Sequence, residues 1–135
     1  LPAILDLAQD GKWRIRLAII QHIPLLAKQL GRDFFTEKLA SMCVGWLGDD
    51  VASIRQAAAM NLGELTSLFG TSWATQFLLP SIVDIRKHES YLRRLTALQA
   101  CAFMATKMDS DAARVHILPL VLDMSNDSVP SIRFN

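Results

Sequence analysis

A seven-residue stretch that recurs at a constant interval constrains the fold of this chain more than any other feature. Each copy ends in arginine, and these arginines are 39 residues apart, since 55 − 16, 94 − 55 and 133 − 94 all equal 39. A period of roughly 20–50 residues is typical of stacked repeats, so we predict an array of similar units. The four copies are Asp10–Arg16, Asp49–Arg55, His88–Arg94 and Asp127–Arg133.

Each of the first two copies leads into a segment whose apolar residues recur with the period of an amphipathic helix. From Trp13 to Leu30, apolar side chains advance by 4, 4, 3 and 4 positions, which is one stripe of a helix. Adding 39 reproduces the stripe and the glycine that follows it, so we expect helices ending in left-handed caps at Gly31 and Gly70. The two stripes are Ile15, Ile19, Ile23, Leu26 and Leu30, then Ile54, Ala58, Leu62, Leu65 and Phe69.

The third copy keeps this stripe with one exception. Arg93 stands where the first two copies have isoleucine, so we expect Leu92 or Leu95 to fill that place in the core. Asp109 follows the stripe where the earlier copies have glycine. The remaining stripe residues are Ala97, Cys101, Met104 and Met108.

A shorter helix opens each unit, and in three of the four units it contains a proline at the same repeat position, namely Pro2, Pro80 and Pro119. A proline inside a helix removes one backbone hydrogen bond and presses on the preceding turn, so we expect kinks near Pro80 and Pro119. Each period thus contains a helix, a tight turn, a longer helix and a short linker. The sequence predicts an all-α fold, an α-solenoid in which antiparallel helix pairs form a right-handed stack.

We divide the chain into a single array of four units, of which the first and last are partial. Their bounds are 1–31, 34–70, 73–108 and 112–135. The linkers between them are too short for the units to move as separate domains. Because a truncated unit leaves an apolar face open, we expect the chain to be a fragment of a longer solenoid.

The composition argues against nucleic-acid and membrane partners. The chain has 14 basic and 13 acidic residues, a formal charge of +1, and so lacks the electrostatic footprint of a protein that binds DNA, RNA or anionic lipid. Its apolar runs are short and interrupted, and the sequence opens directly on repeat material. We therefore expect neither a transmembrane span nor a signal peptide.

The cysteines and histidines do not suggest a metal or catalytic site. Cys43 and Cys101 are 58 positions apart, without CxxC spacing, and both fall on apolar faces. They are predicted to be core residues in a reducing compartment, so we expect a cytoplasmic protein that can also be nuclear. The three histidines share no helical face with them, and no catalytic constellation fits the repeat register. We expect no cofactor and no metal; the histidines are His22, His88 and His116.

The ends of the recurring stretch are predicted to be structural. An aspartate in the turn between two helices can accept hydrogen bonds from the free N–H groups of the second helix and meet its positive end. The arginines lie about one helical turn further on and form a column in which each guanidinium reaches an aspartate of its own or an adjacent unit. His88 interrupts the acidic positions, although Glu89 is adjacent. This ladder, which we expect to hold the stacking register, comprises Asp10, Arg16, Asp49, Arg55, Arg94, Asp127 and Arg133.

The residues between those ends have a different character. Trp13 and Arg14 in the first unit, with Tyr91 in the third, lie on turns that should face solvent. A large aromatic beside an arginine on an exposed turn is typical of a protein-binding hot spot. The alternative is that Trp13 folds back onto its own helix pair. Trp46 and Trp73 are predicted to be core residues.

Several strings of residues resemble one family. Two-helix units with an aspartate in the turn and an arginine one turn later are similar to HEAT repeats. The uniform length and the first-unit residues resemble the scaffold (A) subunits of protein phosphatase 2A, in the C-terminal part of their repeat array. The resemblance covers the whole chain and is carried by residues 1–4, 12–20, 24–27, 29–31, 34–35, 37–39, 57–58 and 129–135.

The resemblance implies a non-enzymatic, horseshoe-shaped scaffold for signal transduction. In the family, the C-terminal repeats hold the phosphatase catalytic subunit on the ridge of intra-repeat turns, and the N-terminal repeats hold regulatory subunits. Ala52 stands where the family usually presents a tyrosine, and Pro130 is a second departure, so weakened or rebalanced affinity is expected. Carried over residue by residue, the partner-binding positions are Lys12, Trp13, Arg14, Ala52, Tyr91, Leu92, Val129 and Pro130.

Two other functions use helical repeats of this kind. A nuclear-transport receptor or another α-solenoid adaptor would show less regular repeats and acidic inner helices. A HEAT-like DNA glycosylase would need a basic groove with an acid and stacking aromatics. The uniform repeat length and the lack of acidic inner helices disfavour the first alternative. The near-neutral charge and the lack of aromatics spaced along the second helices disfavour the second.

Overall fold

The computed structural model of the chain describes residues 2–85 and 90–124, and these residues form helices and turns without a β-strand. The all-α prediction is therefore confirmed. A 3₁₀ turn at Trp46–Gly48 follows the fourth helix, and a π-helical turn at Ala113–Ile117 follows the ninth. The helices are α1 (Pro2–Ala8), α2 (Trp13–Leu30), α3 (Arg32–Lys38), α4 (Ala40–Gly45), α5 (Ala52–Phe69), α6 (Thr71–Phe77), α7 (Leu79–Ile85), α8 (Tyr91–Ala105), α9 (Ser110–Ala112) and α10 (Leu118–Met124).

The long helices form one layer and the short helices form another. α5 packs against α2 on one side and α8 on the other, while α4 and the 3₁₀ turn pack on α5 and α7 packs on α8. The core lies between these layers, so α5 has neighbours on three sides. Its stripe residues Ile54, Ala58, Leu62 and Leu65 are accordingly buried completely.

The stripe of α2 is less deeply buried than the sequence predicts. Ile23 and Leu26 are buried, but Ile15 and Ile19 are only half-buried. The apolar face of α2 is also wider than the predicted stripe. It includes two further residues outside that stripe, Ile20 and Ala27, both buried.

In the third unit, Leu95 fills the place that Arg93 vacates. Leu95 is half-buried against the core, whereas Leu92 is exposed. The guanidinium of Arg93 instead lies over Gly48 of the preceding unit, where a Cβ on the glycine would come within 2.8 Å of the arginine Cζ. This contact between units has no counterpart in the sequence prediction.

Glycine ends α2 and α5 as predicted. Gly31 and Gly70 have φ values of 86° and 98°, and their amides donate to Ala27 and Thr66 at 3.0 and 2.9 Å. Their ψ values of 160° and 166° lie outside the left-handed helical region expected for the caps. They belong to a region that only glycine adopts readily, so the glycine requirement is stricter than the prediction supposed.

Where aspartate replaces the glycine, the long helix is shorter. The stripe predicts a helix to position 108, but α8 ends at Ala105 and the Lys107 amide donates to the Met104 carbonyl at 3.0 Å. Met108 is still buried. Without a glycine the chain leaves the helix through a tighter turn at negative φ.

The bends in the short helices are not caused by proline alone. The chain breaks between α3 and α4 at Leu39 and between α6 and α7 at Leu78, two positions 39 residues apart. The second break precedes Pro80, but the first precedes Ser41, which retains its N–H. Leu39 and Leu78 are both completely buried, so the bend at this repeat position accompanies a buried leucine. The π-helical turn precedes Pro119.

The cysteines and two of the tryptophans lie in the core, as predicted. Cys43 and Cys101 are buried and unpaired, and burial raises the pKa of each thiol to about 12. Trp46 and Trp73 are buried too. Among the described helices, none is both long enough and apolar enough to cross a membrane.

Candidate protein-binding turns

The turns before α2 and α5 are each closed by an aspartate two residues upstream of the helix cap. Asp10 Oδ1 accepts the Lys12 amide at 2.8 Å, and Asp49 Oδ1 accepts the Val51 amide at 2.9 Å. Neither cap residue, Lys12 or Val51, makes a side-chain capping bond of its own. The aspartates thus satisfy the same free N–H group in two successive units.

The arginine that ends the recurring stretch holds the other side of the turn. Arg16 Nη1 donates to the Asp10 carbonyl at 2.7 Å. Arg55 repeats the contact one period later, donating to the carbonyls of Asp49 at 2.8 Å and Asp50 at 3.0 Å. Each arginine therefore binds the backbone of its own turn, a contact that the repeat pattern did not predict.

Arg16 also binds the next unit. Its Nε and Nη2 donate to the two carboxylate oxygens of Asp49, both at 3.0 Å. The arginine and aspartate side chains are 14% and 12% exposed. A bidentate, largely buried pair of this kind has a defined geometry and orients one turn against the next.

The rest of the ladder is only partly described. Arg94 is half-buried in the first turn of α8, and its amide donates to the Ser90 carbonyl at 3.2 Å. His88, Asp127 and Arg133 lie outside the described residues. The ladder's role in fixing the stacking register stays a prediction.

Trp13 lies in the first turn of α2 and is partly exposed. Its side chain is 37% exposed, and the neighbouring residues Lys12 and Arg14 are exposed as well. The guanidinium carbon of Arg14 lies 5.3 Å from the centre of the Trp13 ring, within the range of a cation–π contact. The pair thus presents an aromatic ring and a cationic group side by side on the exposed turn.

The third turn presents a similar surface. Tyr91 and Leu92 occupy the repeat positions of Trp13 and Arg14, two periods later, and are 45% and 38% exposed. Ala52 takes the equivalent place in the second turn and is exposed. Val129 and Pro130 lie outside the described residues. We call the exposed set the turn surface; it comprises Lys12, Trp13, Arg14, Ala52, Tyr91 and Leu92.

One polar residue away from the turns was not predicted. Asn61 lies on α5 between Met60 and Leu62 and is 4% exposed, and its side-chain nitrogen and oxygen have no hydrogen-bond partner. The signal in the sequence was a lone amide within an otherwise apolar helical segment. In the part of the chain that the structure describes, no three His, Cys, Asp or Glu residues are grouped to hold a metal ion.

Comparison with known proteins relates these turns to one family. A family model for the HEAT repeat matches residues 39–69, which contain the second turn and all of α5. The regulatory A subunit of protein phosphatase PP2A from Schizosaccharomyces pombe is 47% identical over 62 residues, 46% of this chain and 10% of that protein. The protein of the same name from Saccharomyces cerevisiae is 41% identical over 73 residues, 53% of this chain and 12% of that protein.

These matches confirm the resemblance stated from the sequence. The chain spans about a tenth of the length of these relatives. Both relatives are named as regulatory subunits, which agrees with the prediction of a non-enzymatic chain.

Proposed function

We propose that this chain is a non-enzymatic scaffold of HEAT repeats that binds the catalytic subunit of a serine/threonine protein phosphatase through its turn surface. The observation that carries the proposal is the exposed Trp13 ring with the Arg14 guanidinium stacked on it at 5.3 Å. Tryptophan and arginine are among the residues that contribute most to protein–protein affinity. Here they meet at one point of an otherwise small turn.

Different residues of the turn fix its conformation and face solvent, which supports the proposal. Asp10 and Arg16 are committed to hydrogen bonds that close the turn and join it to the next one. Lys12, Trp13 and Arg14, which lie between them, show no such bonds from their side chains to the described residues and are exposed. A turn whose ends are fixed holds Trp13 in place, so less conformational entropy is lost when a partner binds.

The spacing of the aromatics fits a partner that spans more than one unit. Trp13 and Tyr91 are two repeat periods apart, with the small Ala52 at the matching position between them. We infer that the catalytic subunit contacts both outer turns and makes weaker contact at the middle one.

The names of the two relatives support a wider proposal. As a regulatory scaffold of the same kind, the chain would help to assemble the catalytic subunit with further regulatory subunits, mainly through repeats outside this chain. Signalling in the cytoplasm or the nucleus is consistent with two buried, unpaired cysteines, which suit a reducing compartment.

The experiment is capture of purified phosphatase catalytic subunit by immobilised chain. We expect the unmodified protein to retain the subunit, and Trp13→Ala or Arg14→Ala to retain much less. Phe34→Ala is the matched control, since Phe34 is 40% exposed on α3 and outside the turn surface. Failure of the unmodified chain to capture the subunit, or equal capture by Trp13→Ala, would overturn the proposal.

A second variant tests whether capture of the catalytic subunit can be increased. Ala52→Tyr places an aromatic ring at the exposed middle position, where it extends the surface between Trp13 and Tyr91. We expect increased capture. Unchanged or reduced capture by a folded Ala52→Tyr protein would contradict a partner that lies across all three turns.

A further inference from the structure

A cleft lies between α2 and α5, away from the turns. It has a volume of about 180 Å³ and is lined by Ile20, Gln21 and Pro24 of α2 and by Met60, Asn61 and Glu64 of α5. Two properties of its lining are unusual for the packed surface of two helices. Each concerns a polar group that the fold leaves without its ordinary partner.

The first is the Asn61 amide. The residue is 4% exposed, and both Nδ2 and Oδ1 lack a hydrogen-bond partner although they are buried. Buried polar groups are nearly always paired, because burial removes them from water. The amide lies beside the cleft with its donor and its acceptor both unpaired among the described residues, and a second amide offers the reciprocal acceptor and donor.

The second is a backbone carbonyl on the facing helix. Pro24 lies inside α2 and has no N–H to donate to the carbonyl of Ile20, four residues earlier. Both residues line the cleft. Neither of the other repeats that contain a long helix has proline here, since the equivalent residues are Gly63 and Ala102. Among the three long helices, the missing N–H at this repeat position is therefore specific to α2.

A second, larger cleft continues from the first. It has a volume of about 540 Å³, shares Pro24 and Glu64 with the first, and adds Lys28 and Lys107. Within the described residues, neither lysine makes a salt bridge, and neither does Glu64. The combined groove thus has an amide end at Asn61 and a cationic end at the two lysines, with one carboxylate where the clefts meet.

We propose that this groove binds an extended peptide segment that carries an acidic residue. Asn61 pairs with a peptide group of the segment, and the acidic side chain lies at the end formed by Lys28 and Lys107. Glu64 lies where the two clefts meet, so it disfavours a second carboxylate at that point. Its own carboxylate is placed to accept a peptide N–H. This surface is separate from the turn surface, so the proposal stands or falls independently of the phosphatase partner.

The test uses the 135-residue chain labelled with ¹⁵N, and the acetylated, amidated hexapeptide Gly-Ala-Gly-Ala-Glu-Glu as the probe. We expect a saturable shift of the Asn61 side-chain NH₂ signal. Asn61→Leu should weaken binding roughly tenfold, since a hydrogen-bonded amide is lost. Lys28 is exposed, so Lys28→Gln leaves the core unchanged. This variant should weaken binding of the peptide several-fold and reduce the salt dependence of binding.

Matched controls separate this outcome from general effects. Gln99→Leu removes an exposed amide on α8 and should bind the probe as the unmodified chain does. Peptides in which Gln-Gln or Lys-Lys replaces Glu-Glu should bind more weakly, the lysine peptide most of all. An Asn61 signal that no peptide moves, which means that water alone pairs with the amide, overturns the proposal. Equal binding of the lysine peptide also overturns it.

Discussion

The Asp49 carboxylate joins two repeat units. It accepts the amide of Val51 in its own turn and the guanidinium of Arg16 from the preceding unit. Exposed ion pairs contribute only about 0–1 kcal/mol to stability, whereas breaking a buried pair costs about 3–5 kcal/mol because one charge is left without its partner. With side chains 14% and 12% exposed, this pair lies nearer the buried case.

We therefore predict that Asp49→Ala lowers the free energy of unfolding by about 2–3 kcal/mol. Arg55→Ala removes two bonds to backbone carbonyls and should cost about 1 kcal/mol, lowering the melting temperature by several degrees. Thermal unfolding followed by circular dichroism measures both effects. The control is Arg32→Ala, whose side chain is 61% exposed and should be neutral. Shifts within error for Asp49→Ala and Arg55→Ala would reject the ladder as a structural element.

The buried thiols predict a pH dependence at the alkaline end. Their pKa rises from 9.0 to about 12 on folding, so above pH 9 the unfolded chain releases protons that the folded chain retains. The contribution of Cys43 and Cys101 is thus constant below pH 9 and declines between pH 9 and about 12.

Urea unfolding at pH 8 and pH 10.5 measures this decline. The double variant Cys43→Ala with Cys101→Ala should lose less stability over this interval than the unmodified chain, since each unfolded thiolate accounts for about 1.4 kcal/mol per pH unit. Equal losses in the two proteins would show that the thiols are not buried as described.

At the scale of helices, Gly63 lets α5 approach α8 closely. A Cβ at this position would lie 3.0 Å from the Phe103 Cβ and 3.1 Å from the Phe103 carbonyl oxygen. The obstacle includes backbone, so α5 and α8 would have to separate. Alanine favours a helix over glycine by about 1 kcal/mol, but overpacking of a close contact costs about 1–3 kcal/mol.

We predict that the packing effect is larger and that Gly63→Ala is destabilising by about 1 kcal/mol. Gly45→Ala is the matched control, since Gly45 has φ −58° in α4 and nothing within 4 Å of the position of a Cβ. It should stabilise by about 0.5–1 kcal/mol. Chemical denaturation compares the two. A stabilised Gly63→Ala protein would mean that α5 and α8 are less closely packed.

The long helices α2 and α5 could be predicted because the sequence marks where each of them ends. α2 and α5 begin at Trp13 and Ala52 and end before glycine, so an apolar stripe and a terminator together define them. The bend at Leu39 has no such signal, because Ser41 is not a helix breaker and the complete burial of Leu39 is seen only in the structure. The end of α8 was predicted wrongly because the apolar stripe continues to Met108, whereas the helix ends at Ala105.

At the scale of the whole molecule, the 39-residue period was enough to predict an all-α array. It did not specify which aspartate each arginine binds, because either neighbour lies within reach of a long side chain. In the structure Arg16 binds the backbone of its own turn and the carboxylate of the next. The repeat pattern likewise did not identify Asn61. A single amide in an apolar helical segment stands out only when the structure shows that it is buried without a hydrogen-bond partner among the described residues.

The arrangement separates two surfaces of the array. The turns present Trp13, Arg14 and Tyr91 at the start of the long helices, where the first N–H groups have no helical acceptors. The groove with Asn61 and Pro24 lies along the middle of α2 and α5. A partner that covers the turns should therefore leave the groove unchanged.

The most direct test is amide hydrogen exchange of the chain with and without the phosphatase catalytic subunit. Amides in the first turns of α2 and α8 lack helical acceptors and should exchange rapidly in the free chain. We predict that the catalytic subunit slows exchange in peptides covering residues 11–14 and 90–93, and leaves α6 (Thr71–Phe77) unchanged. Protection confined to α6 or to the groove, or no protection when the phosphatase is saturating, would contradict binding through the turns.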